Sequence, residues 1–278
     1  MISQGASQAL GSACDSADQM VLRGHAIALL IIGEPFRSPT TREPCTSASI
    51  AAQHEASRSY LENVAQPLRS NGNHVDIFLT LPQCADDQFA SLMLEWFPEA
   101  TRTFVESTSM AHGWRAGYYL VHQHMKTHNV TYDFILQGRH DIMVADSILS
   151  WPSMKHNYTK LLFESEGREC RGGCNMGSDI AEIIRDCGPG APKCSADQFF
   201  WAPKRFFHKL FYIATHPDTN YKQWGHGFLH NFRESDYSYL FPDCKQFQSL
   251  HSCDSLKLYR PEDRGSRQRR RSRRRFRL

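Results

Sequence analysis

The sequence has no apolar run long enough to span a bilayer, which needs roughly 18–20 residues. Its best run, Ala26–Ile32, has seven. It has no internal repeat, which argues against a solenoid or propeller. It has no low-complexity segment before residue 261. The first 24 residues are rich in Ser, Ala, Gln and Gly. They lack the basic start and apolar core of a secretory signal, and are expected to form a flexible leader. No acid follows Asp263, whereas nine arginines do, from Arg264 to Arg277. Removing those nine charges from the formal +3 leaves −6 for residues 1–263. The body is mildly acidic, and residues 261–278 read as a disordered basic tail.

What is present is enough for a core. The chain has 278 residues, 41% of them hydrophobic, so one large or two small domains are expected. Nine cysteines and two sequons, Asn129-Val130-Thr131 and Asn157-Tyr158-Thr159, favour the lumen of the ER or Golgi. The missing signal leaves the cytoplasm as the alternative.

Along the chain, strands alternate with helices. Ala26–Ile32 is continuously apolar, as a strand buried on both faces would be. It stops at Gly33-Glu34-Pro35-Phe36-Arg37, where Gly33 lets a ligand approach the backbone and Arg37 offers a cation. A helix is expected over about 48–68, with Ile50, Ser57, Leu61, Val64 and Leu68 on one stripe. Residues 74–80 form a second strand, 86–97 a helix, 101–106 a third strand and 114–126 a helix. Tyr132–Gln137 then runs as a buried strand into Gly138-Arg139-His140-Asp141. Further strands are expected at 160–164 and 197–203, with an aromatic helix over 204–215 and a short one near His226–Phe232. The whole is an α/β fold: an open, mostly parallel, Rossmann-like sheet flanked by helices, in a single domain over residues 25–260.

In such sheets the carboxyl ends of the strands hold the ligand. Arg139 is a fork for phosphate, and Asp141 is a hard oxygen ligand for Mg²⁺ or Mn²⁺. The bland alternative is an Arg–Asp pair capping a strand at the surface. Cys170, Cys174, Cys187 and Cys194 fall within 25 residues. Their spacing is not that of a zinc knuckle, so two disulfides are favoured over a zinc site.

Four features in order resemble the nucleotide-diphospho-sugar glycosyltransferases of the GT-A fold. These are the strand ending in Gly33-Glu34-Pro35-Phe36-Arg37, the strand at 74–80, the stretch Tyr132-Asp133-Phe134 leading to Arg139-His140-Asp141, and Asp197-Gln198-Phe199-Phe200-Trp201-Ala202-Pro203 before an aromatic helix. The resemblance covers residues 25–235. It implies a nucleotide-sugar donor and a glycan, protein or lipid acceptor. It also implies a Mn²⁺ or Mg²⁺ ion on Asp141, with His226 or His230 completing the shell. Asp197 would be the base of an inverting reaction, and Gly33, Arg37 and Arg139 would contact the donor. This sequence departs from the family's Asp-x-Asp motif, because Arg139 stands in the first position. Arg139 is therefore a second candidate for neutralising the diphosphate. A reading of another class is a non-catalytic binder of nucleic acid or other anions, an anionic membrane among them, using the arginine tail and a Cys-rich zinc loop. A third is a transferase-like protein that has lost its activity.

Overall fold

The computed structural model describes residues 22–36, 45–84, 87–106, 110–156, 158–165, 195–215, 237–239 and 256–258. Strand β1 (Ala26–Ile32) is followed by helix α1 (Ile50–Tyr60), a π turn over Leu61–Ala65, and α2 (Gln66–Ser70). Then come β2 (His74–Pro82), α3 (Gln88–Trp96), β3 (Thr101–Val105) and the long helix α4 (Met110–His128). β4 (Phe134–Arg139), β5 (Ile142–Val144) and the short helix α5 (Pro152–His156) follow. β6 (Leu161–Ser165), β7 (Ser195–Pro203), α6 (Lys204–Thr215), β8 (Tyr237–Tyr239) and β9 (Leu256–Leu258) complete the described elements.

Seven strands form one sheet in the order β3-β2-β1-β4-β7-β6-β8. Only β7 runs against the others. The expected order of strand, helix and strand thus appears as an open, mostly parallel sheet. β5 pairs with β9 in a separate two-stranded ribbon.

The unbroken apolar run of β1 explains its central place. Ile27, Leu29 and Ile31 face one layer, with Tyr60, Val64, Leu68, Phe89 and Met93. Ala28, Leu30 and Ile32 face the other, with Trp114, Tyr118 and Val121 of α4 and Phe206 and Leu210 of α6. Alternate residues of a strand point to opposite faces, so a strand covered on both sides must be apolar throughout.

Several boundaries differ from expectation. The helix expected over 48–68 is interrupted by the π turn before Pro67, whose ring cannot supply a backbone N–H. β4 starts at Phe134 rather than Tyr132 and extends through Arg139, because Gly138 and Arg139 pair with Ile31 and Ile32. α4 is longer than 114–126 and ends at Asn129, which takes φ 54°. Asparagine tolerates that left-handed conformation, so this sequon position also has a role in ending the helix. The helix expected near His226–Phe232 lies outside the described residues, as do Arg37, Cys170, Cys174, Cys187, Cys194, residues 1–21 of the leader and the tail. The end of the expected leader is not free, since Leu22 is buried in the core and the Gly24 amide donates to the Gly72 carbonyl (3.2 Å).

Candidate functional site

The sheet order defines the cleft. The chain runs outward from β1 to β2 to β3, then returns to place β4 on the other side of β1. The direction of winding therefore changes between β1 and β4, and the crevice outside their carboxyl ends is where open α/β sheets hold ligands. Gly33 stands there at φ 99°, a conformation that favours glycine. α4 begins above it. A Cβ at Gly117 would lie 2.8 Å from Leu30 Cδ1, so the helix reaches the sheet only because that side chain is absent.

Two buried side chains sew the strand ends together. Gln53 Oε1 accepts from the Phe36 amide (3.0 Å), and its Nε2 donates to the His140 carbonyl (3.0 Å). The His140 amide donates to the Ile32 carbonyl (2.9 Å), and its ring Nε2–H donates to the Thr80 carbonyl (3.0 Å). His140 thus links the turn after β4 to both β1 and β2. Burial holds its pKa down at about 4, against the opposing influence of the Thr80 carbonyl and the Asp141 charge. It is a neutral clip.

The residues on either side of His140 face each other. Arg139 Nε donates to Asp141 Oδ1 (2.8 Å) and Nη2 to Oδ2 (2.6 Å), a two-pronged pair. The side chains are only 10% and 12% exposed. The pair expected at worst as a surface cap is therefore largely withdrawn from water. Below it on β4, the amide of Gln137 is fully buried with no hydrogen-bond partner among the described residues, as is the Thr80 hydroxyl.

β7 lies antiparallel to β4, with Phe199 opposite Gly138. The backbone of Asp197, two residues earlier on β7, therefore stands at the same edge as the Arg139–Asp141 pair. Gly33, Arg139, Asp141 and Asp197 thus share one end of the sheet. Arg37, His226 and His230 lie outside the described residues.

The residues described do not form a ready metal shell. Both oxygens of Asp141 are held by the guanidinium, and a divalent ion would have to displace it. Among the described residues no three His, Cys, Asp or Glu come together to hold an ion.

Beside the cleft, on the α3 side, is a cavity of about 320 Å³. It lies at the carboxyl ends of β1 and β2, between Phe36, Leu81, Phe89 and Phe104, with Gln83 and Asp87 as polar groups. Phe36 adopts φ 54° and stacks at a tilt on Phe89 (4.7 Å). Phe104 is 44% exposed. Cys84 lines the cavity and is joined to Cys45 by a disulfide. Sequence reasoning missed this bond, as well as Gln53 and Tyr60. Their partners lie 39, 87 and 79 residues away, and no local spacing reveals such pairs.

No protein-family model and no curated protein matches the chain. Among solved structures it is similar to a glycosyltransferase involved in the glycosylation of the major capsid of PBCV-1, at 8% identity and TM-score 0.44 over 89% of this chain and 98% of that one. It is similar to the galactosyltransferase LgtC at 10% identity and TM-score 0.42, over 77% of this chain and 72% of that one. It is also similar to 4-diphosphocytidyl-2C-methyl-D-erythritol synthase at 13% identity and TM-score 0.44, over 87% and 95%. These are likenesses in the course of the chain, not in the chemistry of a site.

Proposed function

We propose that the protein is a glycosyltransferase that takes a sugar from a nucleotide-diphosphate donor, with Arg139 as the cation for the diphosphate and Asp141 as the group that aims it. The observation that carries this reading is the two-pronged Arg139–Asp141 pair at the point where the sheet changes its direction of winding. Breaking the bond between the sugar and the diphosphate leaves charge on the departing oxygens. A fixed cation in a partly water-excluded site stabilises that charge. Gly33 allows the diphosphate to approach the backbone, and Arg37 adds a second cation.

The cavity beside the cleft suits the flat ring of the nucleotide base, with the rings of Phe36, Phe89 and Phe104 as walls. Asp197 takes the proton of the acceptor hydroxyl if the reaction inverts the sugar, and a retaining reaction needs no such base. The acceptor is a glycan, a protein or a lipid. A Mn²⁺ or Mg²⁺ ion on Asp141, with His226 or His230, would require the Arg139 fork to open. The Cys45–Cys84 disulfide supports an oxidising compartment such as the lumen of the ER or Golgi, where the sequons at Asn129 and Asn157 would also be modified.

The test is a thermal-shift screen against UDP- and GDP-sugars, with a CMP-sugar as the monophosphate control. Each is run with Mn²⁺ and with EDTA. A ligand of the folded state raises the melting temperature. A shift with a nucleotide-diphosphate sugar supports the reading, and no shift with any of them counts against it.

A further inference from the structure

The end of the sheet away from the cleft carries a cluster of titratable groups. β2 starts there with His74 and Asp76, α4 ends there with His124 and His128, and Tyr132 lies just before β4. One carboxylate oxygen is the centre. Asp76 Oδ2 accepts from the Tyr132 hydroxyl (2.6 Å) and from the His74 ring Nε2–H (3.0 Å), and lies 3.9 Å from His124 Nε2. The His124 ring stacks on that of His128, one turn further on (4.2 Å, 29°), and meets Phe78 of β2 edge to face (5.1 Å, 83°). His124 thus seats the last turn of α4 on β2. The Val130 amide donates to the Met125 carbonyl (3.1 Å) and closes that turn, where Asn129 takes φ 54°.

We propose that this cluster is a proton-sensitive latch, in which mild acid releases the last turn of α4 from β2 and leaves the sheet folded. Imidazole changes its charge just below neutral pH. Three imidazoles share one carboxylate here, so a single proton is matched by an opposite charge and further protons are not. Charged rings one turn apart on a helix repel each other. His124 is the most sensitive of the three, since its side chain is 16% exposed against 64% for His74. Burial first, then His128 and last His74 push its pKa down, against the opposing pull of Asp76. A released turn binds the proton that the seated turn refuses. The seat is therefore complete above pH 6.5 and weakens as the pH falls from there towards the lowered pKa of His124. The remaining titratable groups nearby have other neighbours. His122 packs on Phe211 of α6 (4.8 Å), Lys126 acts on His122, and Asp133 is paired with His25 (3.3 Å). At the other end of α4, Gly113 and Gly117 lie over Gly33, Thr80 and Leu30, so the latch acts on the helix that covers the cleft. The inference does not depend on the transferase reading.

The test is hydrogen exchange of the full chain, read by mass spectrometry at pH 7.5 and 5.5 and corrected for the intrinsic effect of pH. Protection of residues 125–130, taken as a ratio to that of residues 27–31 in β1, should fall about tenfold or more at the lower pH. The ratio cancels any loss of stability in the molecule as a whole. His124→Phe keeps a ring against Phe78 and His128 but takes no proton, so its ratio should stay within about twofold between the two pH values. Asp76→Asn removes the one anion and should deepen the fall. His74→Gln removes a competing charge and should reduce it. Packing without titration gives no such opposed responses. Protection of β1 at pH 7.5 shows that each variant is folded, and His124→Gln takes the place of His124→Phe if that variant is not. A ratio that pH leaves unchanged in the unmodified protein would overturn the inference. So would a fall of the same size once His124 is replaced, or a shift in the same direction from Asp76→Asn and His74→Gln.

Discussion

The Tyr60 hydroxyl occupies the space that a side chain at Gly138 would need. It donates to the Arg139 carbonyl at 2.9 Å, and a Cβ on Gly138 would fall 2.2 Å from its oxygen. Tyr60 is buried on α1, so the helix and the strand end are fixed to each other through this contact. Gly138→Ala must push the ring aside, which strains the core and breaks a buried hydrogen bond. The expected loss is about 2–4 kcal/mol of unfolding free energy. Tyr60→Phe, which keeps the ring and removes the bond, should cost only about 1–2 kcal/mol. Denaturant unfolding of the two variants measures the difference. Equal costs would mean that the crowding is relieved easily.

His140 predicts a dependence of stability on pH. Its pKa is about 4 in the folded protein, against an ordinary 6.5. Above pH 6.5 the ring is neutral in both states and its contribution is complete. Between 6.5 and 4 the unfolded chain binds a proton that the folded protein refuses. Stability therefore falls as the pH falls through that window, by ~3 kcal/mol in total from this group. Unfolding curves at pH 7, 6 and 5 should show the decline, and His140→Gln should flatten it. An unchanged slope in the variant would assign the acid sensitivity to other groups.

The Cys45–Cys84 bond closes a loop with a sequence separation of 39. A cross-link of that span is worth about 4 kcal/mol on the chain-entropy estimate. Replacing both cysteines by serine should lower stability by up to that amount. Because Cys84 lines the cavity, the same variant should also bind a nucleotide-sugar less tightly. Isothermal titration reads the second effect, and full affinity in the double variant would separate the cavity from donor binding.

Much of the fold was legible because the strands announce themselves. Ala26–Ile32 is apolar on both faces and is an interior parallel strand between β2 and β4, with the same limits. The helix expected over 204–215 also has the same limits, since its buried residues Phe206, Leu210, Ile213 and Ala214 recur at helical spacing. The placing of Arg139 and Asp141 at a strand edge followed from charge meeting an apolar run. Other features were hidden. The direction of β7 depends on which neighbour it joins, and alternation along one strand does not encode that. β5 and β9 are short strands 112 or more residues apart in sequence, too brief to show a period. Gln53 sits where a helix stripe would place any polar residue, and only the folded chain brings it to His140 and Phe36.

Asp141 now carries an expectation that its position at a strand edge alone does not suggest. A strand-end carboxylate at a cleft is not core packing, so its position by itself predicts that Asp141→Asn leaves folding nearly unaffected. Instead it holds a guanidinium that is only 10% exposed. Asp141→Asn should therefore destabilise the protein by about 2–4 kcal/mol, because a largely buried guanidinium loses the charge of its two-pronged carboxylate. Chemical denaturation checks this, and an unchanged midpoint would show that the pair is loosely held.

The most direct test of the central claim compares Arg139→Lys with removal of metal, on protein confirmed to be folded. The lysine keeps the charge but not the fork. If Arg139 neutralises the diphosphate, Arg139→Lys should slow sugar transfer by about 10²–10³-fold, the scale of one lost contact to a developing charge. EDTA should then leave the unmodified protein's rate unchanged. A rate abolished by EDTA, restored by Mn²⁺ and indifferent to Arg139→Lys would contradict the account.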